Sequence, residues 1–225
     1  MTLLIAGLIL FLGAHSMRIF ADDWRARTIA RVGEKPWKGL VTVVSVIGFV
    51  LIVVGYGNAR LAPVVLWVPP VWTRHLALLI NLVAFISIVA AYVPRNSIKS
   101  KFGHPMVAGV KAWSTAHLIS NGNLADVVLF GAFLAWSIVD FRNSRRRDRA
   151  NGTTYPAGTM GRNVLTVVIG TVAWAVFMLY LHARLIGVAP LTMASAPMPE
   201  PAAISTPAAE SPEPAAAPAA TENPR

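Results

Sequence analysis

The sequence HPMVAGVKAWSTAHLISNG, residues 104–122, lies in the middle of a largely apolar chain. It is about as long as a membrane-crossing helix, yet it contains His104, His117, a lysine and several hydroxyl and amide side chains. An ionisable group inside a membrane segment costs free energy, so such groups are candidates for a function. The rest of the chain must show whether this stretch belongs to a membrane protein.

The composition of the chain is that of a membrane protein. Of its 225 residues, 55% are hydrophobic and only 13% are charged, whereas about a quarter of the residues in a soluble domain are charged. The net charge of +10 does not indicate nucleic-acid binding, because the basic residues lie between apolar runs, as they do in membrane proteins. The absence of cysteine excludes disulfides, a thiolate metal site and a cysteine nucleophile.

Four apolar runs have the length of a transmembrane helix, for which about 20 residues are needed. Three of them are bounded by basic residues, at 39–59, 75–94 and 163–183, and the first run covers residues 2–17. The first run lacks the positive leading region of a signal peptide, so we interpret it as a retained helix.

Two further segments, 104–120 and 124–141, are more polar and are separated by the turn sequence Asn121-Gly122-Asn123. We interpret them as a helical hairpin. The sequence therefore predicts an all-α, polytopic transmembrane bundle of about six helices.

Fifteen of the 20 lysines and arginines lie in three loops on one side of this bundle, at residues 18–38, 94–103 and 142–162. The positive-inside rule places these loops in the cytoplasm, as in a multi-pass protein of the bacterial inner membrane. Beyond the membrane domain, residues 1–188, the chain becomes rich in Pro, Ala and Glu. Residues 189–225 are therefore predicted to be a disordered tail.

The five histidines are the main candidates for chemistry: His15, His75, His104, His117 and His182. No two of them share the spacing of a zinc-hydrolase motif. Single histidines on separate helices suit the axial ligation of a haem. His104 and His117 are 13 residues apart, about 20 Å of helix, so both cannot ligate one iron from a continuous helix.

His117 has the more favourable surroundings of these two. Ser114 and Asn121 lie about one turn to either side of it, where either side chain could orient the imidazole. His104 precedes Pro105, which suits the first turn of a helix. We therefore interpret His104 as a helix cap or a neighbour of the site.

The other histidines give weaker indications. His182 is interpreted as an interfacial residue, and the role of His75, at the start of the third span, stays open. Arg18 lies one turn after His15, where it could pair with a haem propionate, although such an arginine more often extends to the membrane surface.

These motifs resemble the NnrU family of bacterial membrane proteins. The resemblance covers about residues 1–188 and is carried by GAHSMR, RVGEKPWKGL, PPVWTRHLALL and above all HPMVAGVKAWSTAHLISNGNLADVVLFGAFLAW. The family is named for a gene linked to nitrite and nitric oxide reduction. It is similar to the plastid ζ-carotene isomerase, a membrane enzyme that holds haem b through two histidines.

The resemblance implies a b-type haem with His15 and His117 as its metal ligands. In the predicted topology these two residues lie toward opposite ends of their helices, so His75 with His117 is the topologically simpler pair. The candidate cofactor-binding residues around them are Arg18, Ser114, Asn121, His75 and His104. The isomerase is thought to exchange a histidine ligand for cysteine, which a chain without cysteine cannot do. Carotene isomerisation is thus disfavoured, while haem binding is not.

Three functions are compatible with this sequence. The first is haem-dependent redox or isomerase-like chemistry on a hydrophobic substrate, or a role in nitrite and nitric oxide metabolism. The second is a non-catalytic assembly or regulatory factor that contacts nitrite or nitric oxide reductase components. The third is a small-molecule transporter, although no internal inverted repeat of the kind common in transporters is present. Whether the protein is an enzyme stays open.

Overall fold

A computed structural model describes residues 1–190, and the regular structure within that range is helical apart from one isolated bridge between Val65 and Asn123. The prediction of an all-α protein is confirmed. The predicted tail, residues 189–225, lies outside the described residues from position 191 onward.

Nine α-helices occur in this part of the chain. They are α1 (Thr2–Phe20), α2 (Asp22–Val32), α3 (Glu34–Leu61), α4 (Val71–Tyr92), α5 (Ser97–Phe102), α6 (Pro105–Ser120), α7 (Leu124–Ala150), α8 (Met160–Val176) and α9 (His182–Ile186). A π-helical segment, Phe177–Leu181, joins α8 to α9 without a break.

Five helical stretches are long and apolar enough to cross a membrane: α1, α3, α4, α7 and the continuous stretch from α8 to α9. The protein is therefore a multi-pass membrane protein. The remaining predicted span, residues 104–120, is present as α6. Its 16 residues correspond to only about 24 Å of helix, less than the usual thickness of the hydrocarbon core. The hairpin prediction thus holds in outline, with a short first arm.

Helix α2 lies within residues 18–38, which the sequence analysis treated as a loop. Its 11 residues are polar on average, so no apolar run marks it. Asp22 and Asp23 lie in its first turn and Arg31 in its last. This distribution of charge complements the helix dipole and stabilises a short polar helix.

Helices α1 and α3 approach each other closely because glycines line their contact. A Cβ atom on Gly7 would lie 2.8 Å from the carbonyl oxygen of Gly48, and one on Gly48 would lie 2.7 Å from the amide nitrogen of Phe11. Gly55 faces the backbone of Leu4, whose side chain is fully buried. Small residues of this kind allow membrane helices to pack by close backbone contact.

The ends of the helices that carry the basic loops are joined to one another. The Asn143 side chain of α7 donates to the carbonyl of Ile19 at the end of α1 (3.3 Å). The backbone N–H of Ser97 donates to the Asn163 side chain of α8 (2.7 Å). The three basic loops thus share one end of the bundle, as the positive-inside rule requires.

The opposite end is closed by residues 62–70, which connect α3 to α4. The N–H of Leu66 donates to the carbonyl of Gly122 in the α6–α7 turn (2.8 Å). Arg60 donates to the carbonyl of Ile186 (2.7 Å), which ties the end of α3 to the end of α9. The α6–α7 turn is therefore held by the α3–α4 connection, and the ends of α3 and α9 are held to each other.

Two glycines on α3 test the close packing of α1 against α3. Gly55→Ala should destabilise the protein by about 1–3 kcal/mol, because its Cβ meets the backbone of α1. Gly57→Ala is the matched control, since a Cβ there meets nothing within 4 Å. It should be neutral or stabilising by up to about 1 kcal/mol, because alanine favours the helix. Thermal unfolding in detergent, followed by circular dichroism, measures both; equal effects would contradict the packing.

Candidate functional site

An aromatic cluster formed by α1, α6 and α7 connects the two histidines that the sequence singles out. We define it as Phe11, Trp113, Phe130 and Phe133. The ring centroids of Phe11 and Phe133 are 5.8 Å apart, those of Trp113 and Phe133 5.4 Å, and those of Trp113 and Phe130 5.1 Å. Three separate helices thus contribute to one continuous set of ring contacts.

His117 of α6 lies at one end of the aromatic cluster and is half-buried. Its ring stacks on Phe130 with a centroid distance of 4.4 Å and an interplanar angle of 26°, and it lies 5.2 Å from the Trp113 ring. Its Nδ1 atom is 2.9 Å from the carbonyl oxygen of Trp113, one turn earlier. The imidazole is therefore held by two rings and one hydrogen bond.

His15 of α1 lies at the other end of the aromatic cluster and is more exposed. Its ring centroid is 4.4 Å from that of Phe11 and 6.2 Å from that of Trp136, which it meets edge to face. Its Nδ1 atom is 2.7 Å from the carbonyl oxygen of Phe11. The local arrangement is the same as at His117, with an aromatic residue four positions earlier.

These hydrogen bonds determine which ring nitrogen carries the proton. A carbonyl oxygen can only accept, so Nδ1 is the donor in both histidines. In a neutral imidazole the lone pair then resides on Nε2, and no residue in the described part of the chain bonds to Nε2 of His15 or His117. A backbone carbonyl that fixes the tautomer in this way is typical of metal-ligating histidines.

The separation of the two imidazoles follows from the positions on α7 that they contact. His117 stacks on Phe130 and His15 meets Trp136, and these positions are six residues apart. That spacing corresponds to about 9 Å along the helix, whereas two nitrogens that ligate one metal are about 4 Å apart. The structure brings His15 and His117 to the same cluster without placing them face to face.

A buried carboxylate lies beside His117. Asp126 of α7 is 4% exposed. The Tyr56 hydroxyl donates to one carboxylate oxygen (2.5 Å), and the Asn123 amide donates to the other (3.0 Å). The Tyr56 ring also contacts Phe130, on which His117 stacks. This network joins α3 to α7 next to the aromatic cluster.

Tyr56 is not among the residues that the sequence singles out. Its only signal is its position, a polar-tipped ring one turn before Arg60 at the end of an apolar run, where a buried tyrosine needs a hydrogen-bond partner.

Ser114 and Asn121 differ from the sequence-based hypothesis. The Ser114 hydroxyl donates to the carbonyl of Val110 (2.9 Å), and the Asn121 amide donates to the carbonyl of His117 (2.9 Å). Neither side chain bonds to the His117 ring, because each has a nearer acceptor on its own helix. The carbonyl of Trp113 orients the imidazole instead.

His104 lies at the opposite, basic end. It occupies the N-cap position of α6, but its side chain makes no capping bond. Its Nε2 is instead 2.9 Å from a carboxylate oxygen of Asp148, to which the Tyr155 hydroxyl also donates (3.0 Å). The capping interpretation is therefore correct in position and wrong in side-chain contact, because the carboxylate is a stronger acceptor.

The remaining candidate residues make no ring contact with the aromatic cluster. His75 is exposed in the first turns of α4, and Arg18 is exposed near the end of α1, where its carbonyl accepts from Arg147 (3.4 Å). His182 follows the π-helical segment, and its Nδ1 is 2.7 Å from the carbonyl of Val188. Of the five histidines, all of which lie in the described range, only His15 and His117 make ring contacts with the aromatic cluster.

An apolar groove of about 400 Å³ runs between α1 and α7. Its walls are aliphatic and aromatic, with Gly13 and Ser16 on one side and Trp136 on the other. The indole N–H of Trp136, whose ring meets His15, is buried and has no hydrogen-bond partner within residues 1–190. A buried donor without an acceptor is uncommon in proteins, and three further buried polar atoms of the described range share this property, on Ser45, Asn81 and Trp174.

The available ligands suit a haem better than a bare metal ion. No group of three or more His, Asp or Glu residues in the described range is arranged to hold a metal ion. A haem needs only one or two axial imidazoles from the protein. Two tautomer-fixed histidines, an aromatic surround and an unpartnered indole N–H are chemically compatible with that group.

The fold and these residues define a polytopic helical membrane protein with a histidine-containing aromatic site between three of its helices. The chain belongs to the NnrU family, since the family model, described as NnrU protein, matches residues 3–190. No curated protein and no solved structure matches it.

The bond between Tyr56 and Asp126 gives a testable prediction. Tyr56→Phe removes one of the two donors to a buried carboxylate, which should cost about 1–3 kcal/mol of unfolding free energy. Tyr180→Phe is the control, because Tyr180 is 61% exposed and its hydroxyl has no hydrogen bond within the described residues. Detergent-based unfolding monitored by tyrosine and tryptophan fluorescence compares them. If both variants unfold like the wild type, the Tyr56 bond does not stabilise the bundle.

Proposed function

We propose that this NnrU-family protein binds a b-type haem in the bacterial inner membrane, with His15 and His117 as axial ligands. One observation carries the proposal. Both imidazoles donate Nδ1–H to a carbonyl of their own helix and keep Nε2 free, and both lie on the same aromatic cluster. Fixed tautomers at the two ends of one apolar site favour ligation over a purely structural role.

The distance between His15 and His117 along α7 is too long for both residues to ligate one iron as the structure stands. Ligation of one iron by both requires His15 and His117 to come closer than the structure has them. Since the offset between Phe130 and Trp136 runs along α7, this approach requires a shift of α1 relative to α6 along that axis. His117 is the better positioned of the two, because it is half-buried and stacked on Phe130.

The surroundings of the site favour a small or apolar substrate. The groove beside His15 is lined almost wholly by carbon atoms. Haem, when bound, supplies one-electron redox chemistry or a coordination position for a ligand, while the protein supplies orientation and a low dielectric. With the family's link to nitrite and nitric oxide reduction, this supports a role in the metabolism of those species.

The absorption spectrum of the full-length protein, purified from haem-replete cells, tests the proposal. The wild type should show a Soret band. His15→Ala and His117→Ala should each lower the bound haem more than about tenfold, because changes even in residues that support a metal ligand cost 10–100-fold in affinity. His75→Ala and His104→Ala should retain it, since neither residue contacts the aromatic cluster.

A colourless wild-type protein that is monodisperse and fully helical would refute haem binding and leave the assembly-factor function. Retention of the Soret band in His15→Ala but not in His75→Ala would show that His75 is the partner of His117. The metabolic role has its own readout. A strain that lacks the gene should consume nitrite more slowly, and His117→Ala should fail to restore the rate.

A further inference from the structure

A second pocket, of about 220 Å³, lies at the basic end of the bundle and shares no residue with the aromatic cluster. We call it the Arg95 pocket. It is formed where α4 turns into α5 and where residues 151–159 pass between α7 and α8. Its lining residues are Pro94, Arg95, Asn96, Lys99, Tyr155 and Pro156.

Two cations line the Arg95 pocket. The guanidinium of Arg95 is exposed and makes no hydrogen bond or ion pair with any described residue. The Lys99 ammonium donates to the carbonyl of Ala91 (2.8 Å) and has two further N–H donors to offer. The pocket therefore presents donors and positive charge that the protein does not itself satisfy.

The nearest carboxylate does not neutralise these cations. Asp148 is bonded to His104 (2.9 Å) and Tyr155 (3.0 Å) and lies 3.5 Å from Arg145. Burial and the bond to Asp148 raise the pKa of the Tyr155 hydroxyl above its usual range, so the ring remains neutral. The Asp148 carboxylate thus bonds to His104 and Tyr155, and it forms no ion pair with Arg95 or Lys99. The two cations give the pocket a positive potential.

The walls of the pocket are held in place by hydrogen bonds. Arg95 has a left-handed backbone conformation (φ 55°), which is unfavourable for a residue with a side chain. Its carbonyl accepts from the N–H of Thr159 (3.0 Å). The buried amide of Asn96 donates to the carbonyls of Ala90 (2.8 Å) and Val93 (2.6 Å). The surrounding structure therefore maintains an unfavourable backbone that directs Arg95 toward the pocket mouth.

The pocket lies at the depth of the lipid headgroups. It begins directly after α4, a membrane-spanning helix, on the end of the bundle that carries the basic loops. Tyr92, two residues before Pro94, and Phe102, three residues after Lys99, are 73% and 50% exposed. Exposed aromatic residues of this kind mark the interface between hydrocarbon and water.

We propose that the Arg95 pocket binds the phosphate of an anionic lipid headgroup from the cytoplasmic leaflet. Arg95 and Lys99 bind the phosphate oxygens, as basic pockets between membrane helices do. Free phosphate offers the same chemistry. The lipid is the better occupant because the pocket follows directly on the membrane-spanning helix α4, and because the exposed Tyr92 and Phe102 flank its lining residues 94–99 in the sequence.

Native mass spectrometry of the full-length, delipidated protein tests this assignment. Wild-type protein should bind phosphatidylglycerol about tenfold or more tightly than phosphatidylcholine, given two cations near the headgroup. The double variant Arg95→Gln/Lys99→Gln should reduce this preference to about twofold or less. The double variant Lys101→Gln/Arg146→Gln removes the same charge from exposed positions of the same end and should keep the preference.

Each alternative result has a defined meaning. Equal loss in both double variants would overturn the pocket and assign the preference to overall charge. Displacement of phosphatidylglycerol by millimolar inorganic phosphate would overturn the lipid assignment in favour of a soluble phosphate, whereas resistance to it supports the lipid. Circular dichroism and gel filtration of both variants check that the fold is intact. Neither variant changes His15, His117 or a residue of the aromatic cluster.

Discussion

The structure depends on one constraint, that polar groups in hydrocarbon must find their partners within the protein. Most polar side chains of the membrane helices meet it locally. The side chains of Ser16, Ser114 and Thr166 donate to the carbonyl four residues earlier, as do Nδ1 of His15 and of His117. The polarity of residues 104–122 is therefore largely satisfied within α6, while Nε2 of His117 has no hydrogen-bond partner among the described residues.

Where a polar group finds no hydrogen-bond partner on its own helix, the same constraint ties that helix to a neighbouring segment. The Asp126 carboxylate has no donor within its own helix, so it takes one from Tyr56 on α3 and another from Asn123 at its N-cap. At the other end of α7, Asp148 forms hydrogen bonds with His104 and Tyr155 in the same way. These two of the three carboxylates of α7 thus fix a neighbouring segment that carries or borders a functional residue.

The sequence allowed the helical class, most spans and the basic end to be predicted, because hydropathy and charge are local properties. It did not reveal α2, whose residues are polar on average. Nor did it reveal the bond between Tyr56 and Asp126, which are 70 positions apart, or the pairing of His104 with Asp148. Such contacts depend on which helices are neighbours, and that depends on small residues such as Gly7 and Gly48 that hydropathy does not distinguish.

Helix α6 shows how a short helix can carry the site. It is too short to need a fully apolar surface, and it lies between α4 and α7. At the C-terminal end of α6, the N–H of Leu66 bonds to the α6–α7 turn. At the N-terminal end, His104 bonds to Asp148. Rotation or sliding of α6 would break one of these contacts or separate His117 from Phe130. The restraint on both ends therefore sets the depth and direction of the imidazole, which a lipid-facing spanning helix with freer ends would leave undetermined.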